Sequence, residues 1–348
     1  MAGTDNHLLV HRSASKQKFY SGSEPIFWSK ELRCWMACDP AVIESIQKNP
    51  LFRVVDHSGE TAKIVTKLGI DLSHIARVFE HVPVNVEGAE HGRRRRAMAT
   101  AMATRTEPAL TQFRISAERL CHRFFGQTGT VELVSQFFEP LIAELAQALS
   151  GVQLEHHPDF VSPTQVFDKG LGLSRRKLIN AQIGRLRSRA CAHMPDDQAD
   201  MAVALAILGS DTILGSIALS FAAGLASHPS VPLSDIDWGD SLRATAVPFI
   251  ERLATAPAMI ANAEIEAGDL VRLYLDRYTL EPEERRDGFF GAGRHACLGR
   301  AVAQRSWLIL TDALRSSTAT VTIDDIVLRE ADCMFLFPRE MKAKVDAG

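Results

Sequence analysis

The amino-acid sequence predicts a mainly α protein with a small β-rich part. Three observations lead there. Residues 198–226 form one long, mostly apolar run, of helix rather than strand length. Further on, Ala303, Trp307, Leu310 and Leu314 recur at i, i+4, i+7 and i+11, the stripe of an amphipathic helix. Short β-prone runs gather near the two ends, at 25–28 and 32–37 and again within 321–342, each bounded as strands are.

Composition narrows the class. The 348 residues include 46% hydrophobic and 23% charged side chains, as in a globular chain with a large core. A net charge of −3 gives no global basic field, which argues against a nucleic-acid partner. The six cysteines, Cys34, Cys38, Cys121, Cys191, Cys297 and Cys333, are scattered. They suggest no disulfide framework and no zinc pattern, so a reducing, cytoplasmic compartment is expected. Residues 1–10 lack the apolar core of a signal peptide or anchor. Residues 201–226 are long enough to cross a bilayer, yet Ser210, Asp211 and Thr212 lie in their middle. An unpaired Asp at that depth is costly, so a buried core helix and no membrane partner are expected.

Taken in order, the first two β-prone runs read as a small hairpin. Asp39-Pro40 then caps a helix, with Pro at the first helical position and Val42, Ile43 and Ile46 on one face. Residues 51–88 read as less regular, interrupted by Gly59, Gly69 and Gly88. A run of four arginines, Arg93 to Arg96, is ordinarily a solvated face or a nucleic-acid patch. Here it follows Glu90-His91 and precedes the helix-prone 97–102, and His91 and Arg95, four apart, share one helix face. Two further helices are expected around 109–125 and 134–149, with Leu133, Phe137, Leu141 and Leu145 as core. Residues 151–197 are polar and interrupted, and the pair His156-His157 has nothing nearby to complete a metal site.

The long helix carries Leu208-Gly-Ser-Asp-Thr212. An acid followed by an alcohol can relay protons, and Gly209 lets the backbone approach a ligand closely. Neighbours on a helix point about 100° apart, so one can face a pocket and the other a solvent channel. The plainer alternative is a helix kink with a satisfied internal Asp. His228-Pro229 stops the helix, Asp240 and Arg243 are spaced for an i, i+3 pair, and Glu251 and Arg252 within 248–254 can be read as an exposed strand pair.

Phe289 and Phe290 lead into Gly291, Gly293, His295, Cys297 and Gly299. The first two glycines permit a tight backbone. Cys297 precedes a predicted helix, where free N–H groups and the macrodipole favour a thiolate. A lone thiolate in such a loop suits one metal bound from one side. A dinucleotide fingerprint would need a strand before it, which the charged 281–288 cannot form. A zinc site would need clustered ligands. A buried structural cysteine is the remaining plain reading.

Phe290, Gly291, Gly293, His295, Cys297 and Gly299 together resemble the heme-binding loop of the cytochrome P450 family. The order of His91/Arg95, Asp211/Thr212, Asp240/Arg243 and Arg252 before that loop is similar to the family's as well. The resemblance implies a cytochrome P450-like fold over 1–348 as a single domain, with heme b (iron protoporphyrin IX) buried between a long central helix and the cysteine loop. It implies Cys297 as the axial iron ligand, a thiolate whose electron density favours O–O cleavage. His91, Arg95 and Arg252 would be propionate partners, and Asp211 and Thr212 would manage protons.

The activity so implied is a monooxygenase inserting one oxygen atom from O2 into a small organic substrate. Its electrons would come from a separate donor, such as a ferredoxin with its reductase. Arg294, Arg300 and Arg305 cluster around the loop, either as a docking face for an acidic donor or as solvated helix residues. The chain also departs from the family. Asp240 stands where the family has Glu, and about 151–197 and 268–288 are short for the pattern. These departures keep open a heme-thiolate enzyme of non-hydroxylating type (dehydration, rearrangement, oxidative coupling or peroxide-driven), or a non-catalytic heme-binding sensor or helper.

Overall fold

The computed structural model describes residues 24–153, 162–167, 170–328 and 335–347. The N-terminal stretch, His156, His157, Cys333 and Met334 lie outside the described residues.

β1 (Ile26–Ser29) and β2 (Cys34–Ala37) pair antiparallel, as expected for a hairpin. Asp39 caps α1 (Pro40–Lys48) by accepting the N–H groups of Ala41 and Val42 at 2.9 and 3.1 Å. Val42, Ile43 and Ile46 face the core. After β3 (Phe52–Val54) come α2 (His57–Leu68) and α3 (Ser73–His81). The expectation of an irregular 51–88 is therefore corrected. Its glycines mark boundaries: Gly59 donates to the capping Asp56, Gly69 ends α2 at φ +60°, and Gly88 opens the next helix at φ +65°. Left-handed backbone of this kind is where glycine is needed.

α4 (Gly88–Phe125) is one continuous 38-residue helix rather than two, with Pro108 inside it. Proline there removes one ladder bond; packing against α5 (Glu139–Ser150) and α9 (Arg300–Arg315) holds the helix together. β4 (Gly129–Glu132) and a π-turn at Val134–Phe138 connect α4 to α5. Over 151–197 the described residues contain a 3-10 turn, Pro163–Phe167, and α6 (Leu173–Cys191). The central helix is α7 (Asp196–Ser227), packed on α3, α5 and α6. By length and composition it could cross a membrane; here it is the core helix.

From 228 to 249 the chain forms no α-helix, only a 3-10 turn at Leu233–Asp235. The Asp240–Arg243 pair that their spacing allowed does not form among the described residues. The Arg243 guanidinium donates to the carbonyls of Asp237 and Trp238 (3.3 Å for Trp238), and the N–H groups of Asp240 and Ser241 donate to Glu283 at 2.7 and 2.8 Å. The segment is fastened to α7 instead. Ser220 Oγ accepts the N–H groups of Arg243 and Ala244 at 2.9 and 3.0 Å, and Ser216 Oγ accepts that of Ala246 at 2.9 Å. These bonds satisfy buried backbone that a helix would have satisfied internally. The fully buried Trp238 stacks on Phe221 at 5.4 Å and meets Trp307 edge-on at 6.1 Å.

β5 (Ile250–Ala254), β6 (Ala258–Ile260), β7 (Ala263–Ile265) and β8 (Leu270–Leu273) follow. The main sheet has the order β1-β2-β8-β5-β3, antiparallel except for the β2–β8 pair. The short α8 (Glu283–Arg286) precedes the cysteine loop. β9 (Thr320–Leu328) and β10 (Pro338–Asp346), which take up the β-prone 321–342, pair antiparallel and add β4 at one edge.

Candidate active site

The cysteine loop is braced by α1 and α4. Gly291 and Gly293 take φ +76° and +68°. A Cβ on Gly293 would lie 3.2 Å from the Gln47 carbonyl, so the loop passes tightly beneath α1. Gln47 Oε1 accepts the Ala292 N–H at 2.7 Å, Arg95 Nη1 donates to the Ala296 carbonyl at 2.6 Å, and Cys297 N–H closes on the Phe290 carbonyl at 2.8 Å.

Cys297 Sγ opens onto a cavity of about 320 Å3. The thiol has accessible surface because that cavity lies against it, while protein surrounds it more widely. Burial pushes its pKa up, against the lowering effect of the Gly299 and Arg300 N–H groups and the charges of Arg95 and Arg300. The helix terminus expected to favour thiolate is thus present but outweighed; metal binding would deprotonate the sulfur. Among the described residues no group of three or more His, Cys, Asp or Glu could hold a metal ion, so a metal here would rest on this single sulfur.

The cavity is largely apolar, and cations and imidazoles mark one rim. His91, Arg95, Arg252 and His295 all line it. The His91 and His295 rings lie 4.2 Å apart. His295 Nε2 meets Glu87 Oε2 at 3.1 Å, but among the described residues His295 Nδ1 and His91 Nε2 are buried without a hydrogen-bond partner. Burial lowers the pKa of both rings, that of His295 to about 4, so both are neutral near pH 7. Arg252 is 7% exposed and lowered by burial to about 10. Its one hydrogen bond among the described residues is to the Glu251 carbonyl at 2.9 Å. The Glu251 carboxylate pairs instead with Arg272 at 3.0 Å, so the alternative of an exposed Glu251–Arg252 strand pair is corrected. The free His91 nitrogen and a buried cation call for an anion, whereas neutral His295 donates its one N–H to the Glu87 carboxylate and keeps Nδ1 as an acceptor. Two propionates on the edge of a flat, apolar macrocycle fit that demand.

α7 forms the opposite wall. Leu205, Leu208, Gly209, Thr212, Ile213 and Ser216 face the cavity. A Cβ on Gly209 would meet nothing within 4 Å, so open space lies beside it. Thr212 Oγ1 donates to the Leu208 carbonyl at 2.8 Å. Asp211 turns to the other side and accepts the hydroxyls of Ser162 and Thr164. The two residues share a helix but not a face.

Spacing alone missed Glu87. It receives the Val54 N–H at 2.8 Å, His295 at 3.1 Å and Arg294 at 2.9 Å. Gln47 was missed too; neither carries a local signal. The arginines around the loop are each paired: Arg294 with Glu87, Arg300 with Asp287 and Arg305 with Glu107. Arg93 and Arg94 both engage Glu90, which leaves Arg95 as the member of the run that reaches the cavity.

No protein-family description matches this chain, and no curated protein is significantly similar to it in sequence. Solved structures are similar in fold. P450BioI, in complex with hexadec-9Z-enoic acid-ligated acyl carrier protein, superposes with a TM-score of 0.70 at 18% identity over 93% of this chain and 95% of its own. CalO2 gives 0.71 at 15% identity over 99% and 96%. The versatile cytochrome P450 enzyme CYP109B1 from Bacillus subtilis gives 0.66 at 16% identity over 97% and 99%. With mainly helical architecture, small sheets and near-complete coverage, the chain has the cytochrome P450 fold.

Proposed function

We propose that the chain is a heme-thiolate monooxygenase that inserts one oxygen atom from O2 into a small organic substrate. The balance is substrate plus O2, two electrons and two protons, giving oxygenated product and water. A separate donor, such as a ferredoxin with its reductase, supplies the electrons. One observation carries the reading: Cys297 Sγ, the unpartnered His91 Nε2 and His295 Nδ1, and buried Arg252 converge on one apolar cavity.

When bound, heme b supplies the iron at which dioxygen is activated. Cys297 would hold its iron through the thiolate sulfur, and Phe290, Gly291 and Gly299 would shape the loop around that sulfur. His91, Arg95 and Arg252 hold the propionates, and His295 steadies the loop through Glu87. The apolar lining excludes water, which strengthens every polar contact inside. Thr212 holds a proton at the cavity wall by rotating its hydroxyl away from the Leu208 carbonyl. Asp211, with Ser162 and Thr164, exchanges protons on the outer side of α7. The acyl-carrier complex of P450BioI makes carrier-bound acyl groups one substrate class to assay.

The deciding measurement is the absorption spectrum of purified protein, reduced and treated with carbon monoxide. A strongly red-shifted Soret band that Cys297→Ser abolishes is the expected result. An unshifted band, or no heme, overturns the reading.

A second reading keeps the heme but not hydroxylation: another heme-thiolate reaction, or a sensor or helper. It is favoured by the Asp211 carboxylate lying outside the cavity while the Thr212 hydroxyl is spent on backbone. Normal turnover by Thr212→Ala would support it, as would the absence of any spin shift across a broad substrate panel.

A further inference from the structure

Asn85 ends the 3-10 turn Pro83–Asn85 between α3 and α4, with its N–H on the Val82 carbonyl at 3.3 Å. It is 3% exposed and lines the same cavity as Val54, Val82, Leu205, Ile213 and Phe335. Neither Nδ2 nor Oδ1 has a hydrogen-bond partner among the described residues. Pro83 presets the turn that points this amide inward. A primary amide carries two donors and an acceptor, and burying both ends unsatisfied is costly.

We propose that Asn85 anchors the substrate and selects ligands with a carboxamide-like edge, a donor and an acceptor side by side. The inference rests on reading the cavity as the substrate chamber of a heme protein. A heme propionate would not suffice. Ionised carboxylates only accept, so one could engage Nδ2 but would leave Oδ1 unsatisfied. A single water is also a poor match, because it needs two to four polar partners and the cavity lining is largely apolar. A primary amide or lactam satisfies both atoms at once through two parallel hydrogen bonds.

Calorimetric titration with octanamide, methyl octanoate (acceptor only) and nonane (neither) tests this. The wild-type protein should bind octanamide about 10- to 100-fold more tightly than methyl octanoate. Asn85→Leu, and Asn85→Ala as a variant that cannot crowd the cavity, should each abolish that preference while keeping the red-shifted carbon monoxide band. Equal wild-type affinities for amide and ester overturn the proposal, as does a preference that survives both variants. Loss of the heme band with the preference intact makes Asn85 a propionate partner instead. A wild-type amide preference without a thiolate-type band leaves the Asn85 anchor standing and sinks the heme reading alone.

Discussion

His91 and His295, from α4 and the cysteine loop, bring their rings to 4.2 Å and each leave one buried nitrogen without a partner. Close packing of two neutral imidazoles adds little stability by itself; its use is to hold His91 against the cavity while His295 spends its N–H on Glu87. His91→Phe should therefore weaken heme retention about 10-fold. The heme-free protein should keep its melting temperature. Soret absorbance against protein concentration, with calorimetry of the heme-free form, checks both.

Arg252 extends the same logic to charge. Buried without an ion-pair partner among the described residues, it opposes folding in the heme-free state. Arg252→Met should raise heme-free stability by about 1–3 kcal/mol and lower heme occupancy. Urea unfolding of both forms would show the crossover; equal losses in both would count against the role.

Gly224 on α7 gives room to Trp238. A Cβ there would lie 2.6 Å from the indole, which is itself held between Phe221 and Trp307. Gly224→Ala should destabilise by about 1–3 kcal/mol despite improving helix propensity. Chemical denaturation decides the sign.

Glu132 ties β4 to β10 and to the π-turn. Its carboxylate accepts the N–H groups of Met341, Ser135 and Val134 at 2.7, 2.6 and 3.1 Å. Burial raises its pKa, but these bonds and the Ser135 hydroxyl together bring it below the usual carboxylate value. The contribution is complete above the unfolded value of 4.5 and fades as pH falls through the folded one. Glu132→Gln should cost about 1–2 kcal/mol at pH 7, with the gap closing below pH ~4.

The loop arginines predict a kinetic effect. Glu107 and Asp287 mask Arg305 and Arg300. Glu107→Gln with Asp287→Asn should speed reduction by an acidic ferredoxin at low salt, and added salt should erase the gain. Stopped-flow reduction at two ionic strengths reads it.

Much of the site was legible because it is written in local spacing. The i, i+4 pair His91/Arg95 and the glycines around Cys297 need only periodicity and backbone rules, whereas Arg252 was singled out by the family resemblance. Glu87, Gln47 and Asn85 were not legible, since each works through partners far away in sequence. Irregularity was overread at 51–88, where glycines that end helices looked like glycines that prevent them. The i, i+3 spacing of Asp240 and Arg243 misled for the opposite reason. Ser216 and Ser220 on α7 supply the hydrogen bonds that let 228–249 do without a helix.

By itself the sequence determined the mainly α class, the long core helix, the thiol before an amphipathic helix and the arginine run. These follow from side-chain period and φ preference, which act over a few residues. Only the tertiary structure decided that Asp211 faces away from the cavity while Thr212 faces in, that Arg95 alone of its run reaches the rim, and that Asn85 is left with nothing to bond. Those outcomes depend on which surfaces pack together, and packing is settled by the whole core at once.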